Sequence, residues 1–205
     1  MLDYMTRKAK PLSYLETHAG RGLYDLGSEA AEKTGEAKKG IAAVGGWFDA
    51  DHPYHKALSK VQARHGEQVY AGSPVLAETL LRKGDSMHLA ELHPQEGEAL
   101  SLAMMGSGAK VYAQDGFAMA QSICPPEPRR GLMLIDPSYE IKSDYETLPK
   151  FIGQMHRKWN VGVIALWYPI LTGGAHEGML AALEAQGLPK VLRHEVRFPP
   201  VREGH

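Results

Sequence analysis

The sequence predicts an α/β fold built on a doubly wound, mainly parallel sheet. Two observations carry this. Short apolar runs recur along the chain with helix-length segments between them, the pattern of strands joined by right-handed crossovers. One stretch, Gly131-Leu132-Met133-Leu134-Ile135-Asp136-Pro137-Ser138-Tyr139-Glu140, also reads as the centre of such a sheet. Its unbroken apolar run from Leu132 to Ile135 suits a strand buried on both faces. The run stops at Asp-Pro. Proline cannot donate to a ladder, and it keeps the residue before it extended. The Asp136 carboxylate therefore falls at the C-terminal end of a strand, the edge at which open α/β sheets bind ligands. An acid beside an apolar turn and the Tyr139 ring can hold a flat, amine-bearing base. An aspartate that merely caps the next turn fits the same residues as well.

Bulk properties narrow the classes. With 205 residues, 43% hydrophobic and 23% charged, the chain suits a single globular domain, residues 1–205. A net charge of -1 means that any nucleic acid must be met by a local basic patch. The single cysteine, Cys124, excludes a disulfide within the chain and fits a reducing cytosol. No apolar run reaches membrane length.

Each element follows from local signals. Residues 1–10 read as the last turns of a helix, with Leu2, Met5 and Ala9 on one face and Pro11 ending it. Residues 12–17 read as a strand that runs into His18-Ala19-Gly20-Arg21-Gly22. The resulting Glu16-x-x-x-Gly20-x-Gly22 pattern lets the backbone turn tightly and approach a ligand, as in dinucleotide and S-adenosylmethionine folds. Asp25 stands where the dehydrogenase fingerprint needs its third glycine, which counts against a dinucleotide. A bare Gly-x-Gly is also often only a turn. Residues 24–68 read as a helical insertion beside the ligand edge, with a short helix starting at Ser28 and a better one over residues 54–64, stopped by Gly66. Ser73 is expected to N-cap a helix whose first residue is Pro74.

Residues 87–90 form the second main strand, ending at Glu91. In nucleotide-binding folds an acid there accepts from ribose hydroxyls, although an acid at any exposed strand end looks the same. Pro94 opens a helix bearing Leu100, Leu102, Met104 and Met105. Residues 109–113 form the third strand, closed by Gln114-Asp115-Gly116-Phe117. Asp115 could bond an adenine amino group and Phe117 stack on its ring; Asp-Gly is equally a common turn. Helices over 117–123, 145–159 and 178–186, a fifth strand over 161–166 ending in Trp167-Tyr168-Pro169, and a sixth over 191–198 with alternating wet and dry sides complete the reading. The glycine loop, Glu91, Asp115 and Asp136 each follow a successive strand, so all of them share one rim of the sheet.

Asp136-Pro137-Ser138-Tyr139 resembles the Asp/Asn-Pro-Pro-Tyr motif of amino-group adenine methyltransferases. Leu15-Glu16-Thr17-His18-Ala19-Gly20, Tyr24-x-Leu26-Gly27-Ser28-Glu29, Gly72-Ser73-Pro74, Glu91-Leu92-His93-Pro94, Asp115-Gly116 and Ala165-Leu166-Trp167-Tyr168-Pro169 resemble the bacterial 23S ribosomal RNA adenine-N6 methyltransferases (RlmJ-like), along nearly the whole chain. The resemblance implies a class I, Rossmann-like methyltransferase sheet with the helical insertion at residues 24–68. It also implies S-adenosylmethionine as methyl donor, no metal, and ribosomal RNA stripped of most protein as partner. A cytoplasmic monomer away from membranes is expected. By position it assigns cofactor contacts to His18, Gly20, Ser73, Glu91, Asp115, Gly116 and Asp136, and catalysis to Asp136, Pro137 and Tyr139. In this reading Asp136 and the Pro137 carbonyl accept the two N–H bonds of an adenine amine, and Tyr139 stacks on the base.

The chain departs from the family pattern in three places. Ser138 replaces the motif's second proline, which relaxes the turn but leaves the Asp136 carboxylate and Pro137 carbonyl available. The family's first segment, rich in His, Gly, Asn and Lys, and its last antiparallel strand are expected to be missing. RNA is expected over the ligand rim, with Arg7, Lys8, Lys10, Arg21, Lys38, Lys39, Arg129 and Arg130 as candidate phosphate contacts, each also readable as a merely solvated charge. Competing readings are a DNA adenine methyltransferase, a non-catalytic nucleotide- or S-adenosylmethionine-binding fragment and, further off, a nicotinamide dehydrogenase. His52 and His55 have no second cluster at metal-ligand spacing.

Overall fold

The computed structural model describes residues 1–26 and 45–196. Five strands form the central sheet: β1 (Ser13–Glu16), β4 (Ser86–Ala90), β5 (Lys110–Tyr112), β6 (Gly131–Ile135) and β7 (Val163–Leu166). Their order is β5-β4-β1-β6-β7, and every pairing is parallel. The order reverses between β1 and β6, where both crossovers leave a crevice at the carboxyl ends of the strands. Asp136 and the loop after Glu16 open onto that crevice.

Parity along the strands sorts the two faces. Tyr14, Met87, Leu89 and Leu132 point into one core with Leu2, Met5, Val61, Val75 and Leu100. Those residues come from α1 (Leu2–Thr6), α2 (Pro53–His65), α3 (Ser73–Leu80) and α4 (Pro94–Ala103). Leu15, Met133 and Ile135 point into a second core with Ala120, Leu148, Phe151, Met155, Trp159 and Met179. These lie on or just beyond α5 (Gly116–Ile123), α6 (Asp144–Lys158) and α7 (Ala175–Glu184). Helices on both faces explain why the central strands are apolar on both sides.

Four expectations need correction. Residues 191–196 form no strand; Val191 and Leu192 are exposed. Alternating polarity is a half-buried-strand signal only where a neighbour offers a ladder, and none is formed there; residues 197–198 lie outside the described residues. A two-stranded antiparallel sheet was missed: β2 (Leu23–Asp25) pairs with β3 (Val69–Ala71). Helix α3 begins at Ser73 with Gly72 at the N-cap, so Ser73 is helical and its hydroxyl turns elsewhere. The helix opened by Pro94 ends at Ala103, so Met104 and Met105 lie beyond it rather than within it. The helix expected to start at Ser28 lies outside the described residues. No described helix is long and apolar enough to cross a membrane.

Candidate functional site

The site is assembled from four strand ends. After β1 the chain turns through Thr17-His18-Ala19-Gly20. Thr17 N–H continues the ladder to Leu134 O (3.1 Å), and Ala19 N–H reaches Ala90 O (3.0 Å), so the loop is pinned to both neighbouring strands. Gly20 has φ +60, and a Cβ there would lie 2.7 Å from the Tyr24 hydroxyl. Only glycine meets both demands without strain. Its N–H donates to Glu91 Oε2 (2.8 Å), and His93 N–H donates to Glu91 Oε1 (2.8 Å). Glu91 thereby locks the glycine loop to the end of β4. A carboxylate offers about four acceptor sites, so each oxygen keeps one for a ligand.

Asp115 follows β5 and accepts from Ala118 N–H (2.7 Å) as N-cap of α5. Gly116 is jammed against β1: a Cβ there would meet Thr17 O at 1.9 Å. The Phe117 ring is T-shaped to His18 at 5.3 Å and packs on Phe151 at 4.4 Å. Phe117 is thus committed in part to the core, and His18 covers it from the rim. Thr17 Oγ1 lies 2.8 Å from His18 Nδ1 and orients the imidazole. Burial lowers the His18 pKa, against the opposing pull of Glu91, Asp144 and Asp115.

The deepest polar group is Glu16, which is 0% exposed. The sequence reading placed Glu16 in the glycine-loop motif but gave it no role of its own. Its Oε2 accepts from the Tyr14 hydroxyl (2.8 Å) and its Oε1 from the Ser73 hydroxyl. Burial pushes its carboxyl up to about 8; the Ser73 and Tyr14 hydrogen bonds oppose this, while the charges of Asp136 and Glu91 add to it. Acid at the last position of an apolar strand was the available signal.

Asp136 stands immediately after β6, half-buried, and burial raises its pKa. Pro137 is buried and Ser138 exposed. Tyr139 adopts φ 59, a left-handed conformation uncommon for a side chain of this size. It is held there by a 2.6 Å bond from its hydroxyl to Trp167 O and by ring contact with Tyr145 at 5.0 Å. Burial and then the Asp136 charge push its phenol pKa well up. Among the described residues no Lys or Arg pairs with Glu16, Glu91, Asp115 or Asp136. A crevice lined by unneutralised carboxylates is a natural host for a cation, and such clusters mark functional sites.

Arg129, Arg130 and Arg7 do not share this rim. Ser13 N–H bonds Arg130 O (2.8 Å), which puts Arg129 and Arg130 at the opposite edge, where the strands begin. Arg130 is spent on the carbonyls of Lys10 (3.0 Å) and Met5 (2.5 Å), and Arg7 pairs with Asp3 (2.7 Å). Arg21 does lie by the glycine loop, but its guanidinium makes two bonds to Glu96, at 2.9 and 2.8 Å. Parallel strands segregate their two ends, so residues just before β1 and β6 cannot reach the ligand edge. Lys38 and Lys39 lie outside the described residues.

Comparison with known proteins bears on this crevice. The family model described as "Ribosomal RNA large subunit methyltransferase D, RlmJ" matches residues 9–205. Ribosomal RNA large subunit methyltransferase J of Escherichia coli strain K12 is 39% identical over 206 residues, covering 98% of this chain and 73% of that protein. The protein of the same name from Haemophilus influenzae is 37% identical over 207 residues, with the same coverage of 98% and 73%. A crystal structure from Legionella pneumophila superposes with a TM-score of 0.77 at 34% identity, covering 90% of this chain and 69% of that one.

Proposed function

The chain belongs to the RlmJ family of ribosomal RNA large subunit methyltransferases, and from that premise we propose that it transfers a methyl group from S-adenosylmethionine to the exocyclic N6 amine of an adenine in 23S ribosomal RNA. The observation that carries the reading is the placement of Asp136 at the switch point beside Glu16 and the Glu91-locked glycine loop, with no Lys or Arg among the described residues paired to them. Bound S-adenosylmethionine supplies an electrophilic methyl group on a sulfonium cation. The donor set fits it. Glu91 keeps acceptor capacity for ribose hydroxyls beyond its bonds to Gly20 and His93. Asp115 Oδ2 is left over from its capping role for the cofactor's adenine amine. Gly20 and Gly116 let the backbone come close, His18 and Ser73 contribute polar groups, and the Asp136 carboxylate answers the positive charge.

Asp136 and the Pro137 carbonyl would accept the two N–H bonds of the target amine. An exocyclic amine is a poor nucleophile because its lone pair is delocalised into the ring. Accepting both protons out of the ring plane favours a pyramidal nitrogen with its lone pair free. Tyr139, fixed by its bond to Trp167 O, offers a ring face to the adenine, which must leave its helical stack to be reached. Holding donor and acceptor in line supplies much of the rate. The enzyme would work in the cytoplasm, where such RNA is made.

Calorimetry should register S-adenosylmethionine binding. Methyl transfer to an unmodified 23S transcript should then persist in the presence of excess DNA of the same sequence, with an RNA KM that rises with salt. Preferential methylation of the DNA, or no cofactor binding, would refute this reading.

A further inference from the structure

We propose that the Trp167 indole is a stacking platform for an unpaired RNA base adjacent to the target adenine. This rests on the functional reading above and assigns the crevice a second contact with its substrate. The placement follows from the sheet. Ile135 and Leu166 are register partners in the parallel β6–β7 pair. The ladder runs one step further, because Trp167 N–H donates to Ile135 O at 3.0 Å. Trp167 therefore stands level with Asp136 just past the end of the neighbouring strand β6, about 4.8 Å across.

Its mounting is rigid. The amide is held by Ile135, and the carbonyl accepts the Tyr139 hydroxyl at 2.6 Å. Yet the side chain is 54% exposed, and Ile141, Ile170 and Leu171 nearby in sequence to the two aromatic motifs are exposed as well. Several large apolar groups left wet beside a candidate active site mark a contact surface. A flat, rigid aromatic with a free face is what sequence-tolerant recognition of single-stranded nucleic acid requires. Tyr139 does not cover that face: the two rings are 6.4 Å apart at 53°. At that tilt they cannot clamp one flat base between them, so each presents a face to a separate base. Lys142, exposed beside Ile141, can follow the phosphate between the two nucleotides.

The test compares Trp167→Ala and Trp167→Phe with the native chain on an unmodified 23S transcript. The alanine variant should raise the RNA KM about tenfold, leave the S-adenosylmethionine KM in place, and reach a near-native kcat at saturating RNA. Phenylalanine should recover most of the loss. An unchanged RNA KM overturns the proposal, as does an equal shift in both KM values, or a change confined to self-association in sedimentation, which would make the patch a protein contact. If the native chain transfers no methyl at all, the functional reading fails by itself. Fluorescence then decides the platform: Trp159 is fully buried, so a Trp47→Phe chain leaves Trp167 as the exposed reporter. Saturable quenching by a short unpaired oligoribonucleotide supports stacking, and no quenching overturns it.

Discussion

The two edges of the central sheet each bury a carboxylate, and they treat it in opposite ways. At the edge where the strands begin, the Asp85 side chain is 1% exposed. It accepts from Leu12 N–H, Arg82 N–H and the Arg82 guanidinium, all within 3.0 Å. Burial alone would raise its pKa, but the Arg82 hydrogen bonds, the Leu12 amide and the Arg82 charge together hold it below the usual value. Arg82 also ties down the carbonyls of Thr6 and Lys8, and Arg130 those of Met5 and Lys10. The buried acid there is answered by a cation of the same chain. At the other edge burial raises both Glu16 and Asp136, the charges of Asp136 and Glu91 add to the rise of Glu16, and among the described residues no Lys or Arg pairs with either. The difference separates an edge whose buried acid is paired from an edge whose acids, among the described residues, pair with no Lys or Arg.

Substitution should expose this division. Asp136→Ala is expected to lower methyl transfer by at least about a thousandfold while leaving thermal stability unchanged or slightly higher, since it removes a raised carboxyl. Thermal melts beside a methyl-transfer assay check it, and turnover retained in the folded variant would remove Asp136 from the chemistry. Asp85→Asn should do the reverse. It leaves Arg82 half-matched and costs about 2–3 kcal/mol in a urea titration, with activity per folded molecule intact. Equal losses of activity would mean that the two edges are not independent.

pH sharpens the comparison. The folded pKa of Glu16, about 8, lies above its unfolded value of about 4.3. The folded state therefore holds the proton more tightly, and the associated stability is fully present below about pH 4 and lost as pH rises through 8. Relative to Glu16→Gln, the native chain should lose urea resistance between pH 5 and 8, by a few kcal/mol at most. Parallel pH profiles of the two would show that Glu16 ionises as it does in water. Asp85 has the opposite sign: its stability is present above about pH 4 and lost as pH falls. The smallest effect is expected for Tyr139→Phe. Loss of its bond to Trp167 O should cost about 1 kcal/mol and several-fold in transfer rate; an unaltered rate would show that the hydroxyl is not what orients the ring.

Much of the ligand edge was legible because it is written locally. An apolar run ending in Asp136-Pro137, a strand ending in Glu91 and the turn at Gly20 each declare themselves within ten residues, and alternation of strands and helices then places them together. The edge where the strands begin was not legible. Arg82 and Arg130 act on carbonyls 72 and 125 residues away in the chain, and such contacts leave no periodicity. The β2–β3 ribbon was hidden for the same reason, being three residues on each side. The alternation at 191–196 misled because polarity shows that a strand could be half-wet, not that a neighbour is there to pair with it. Lone basic residues misled similarly: Arg130 looks like a phosphate contact until its position at the start of β6 is known.

The most direct measurement is nucleoside mass spectrometry of an unmodified 23S transcript incubated with the purified chain and S-adenosylmethionine. The account expects N6-methyladenosine at a single site, absent when the Asp136→Ala variant replaces the native chain. Methyl groups on another atom, or N6-methyladenosine made equally well by the Asp136→Ala variant, would contradict it.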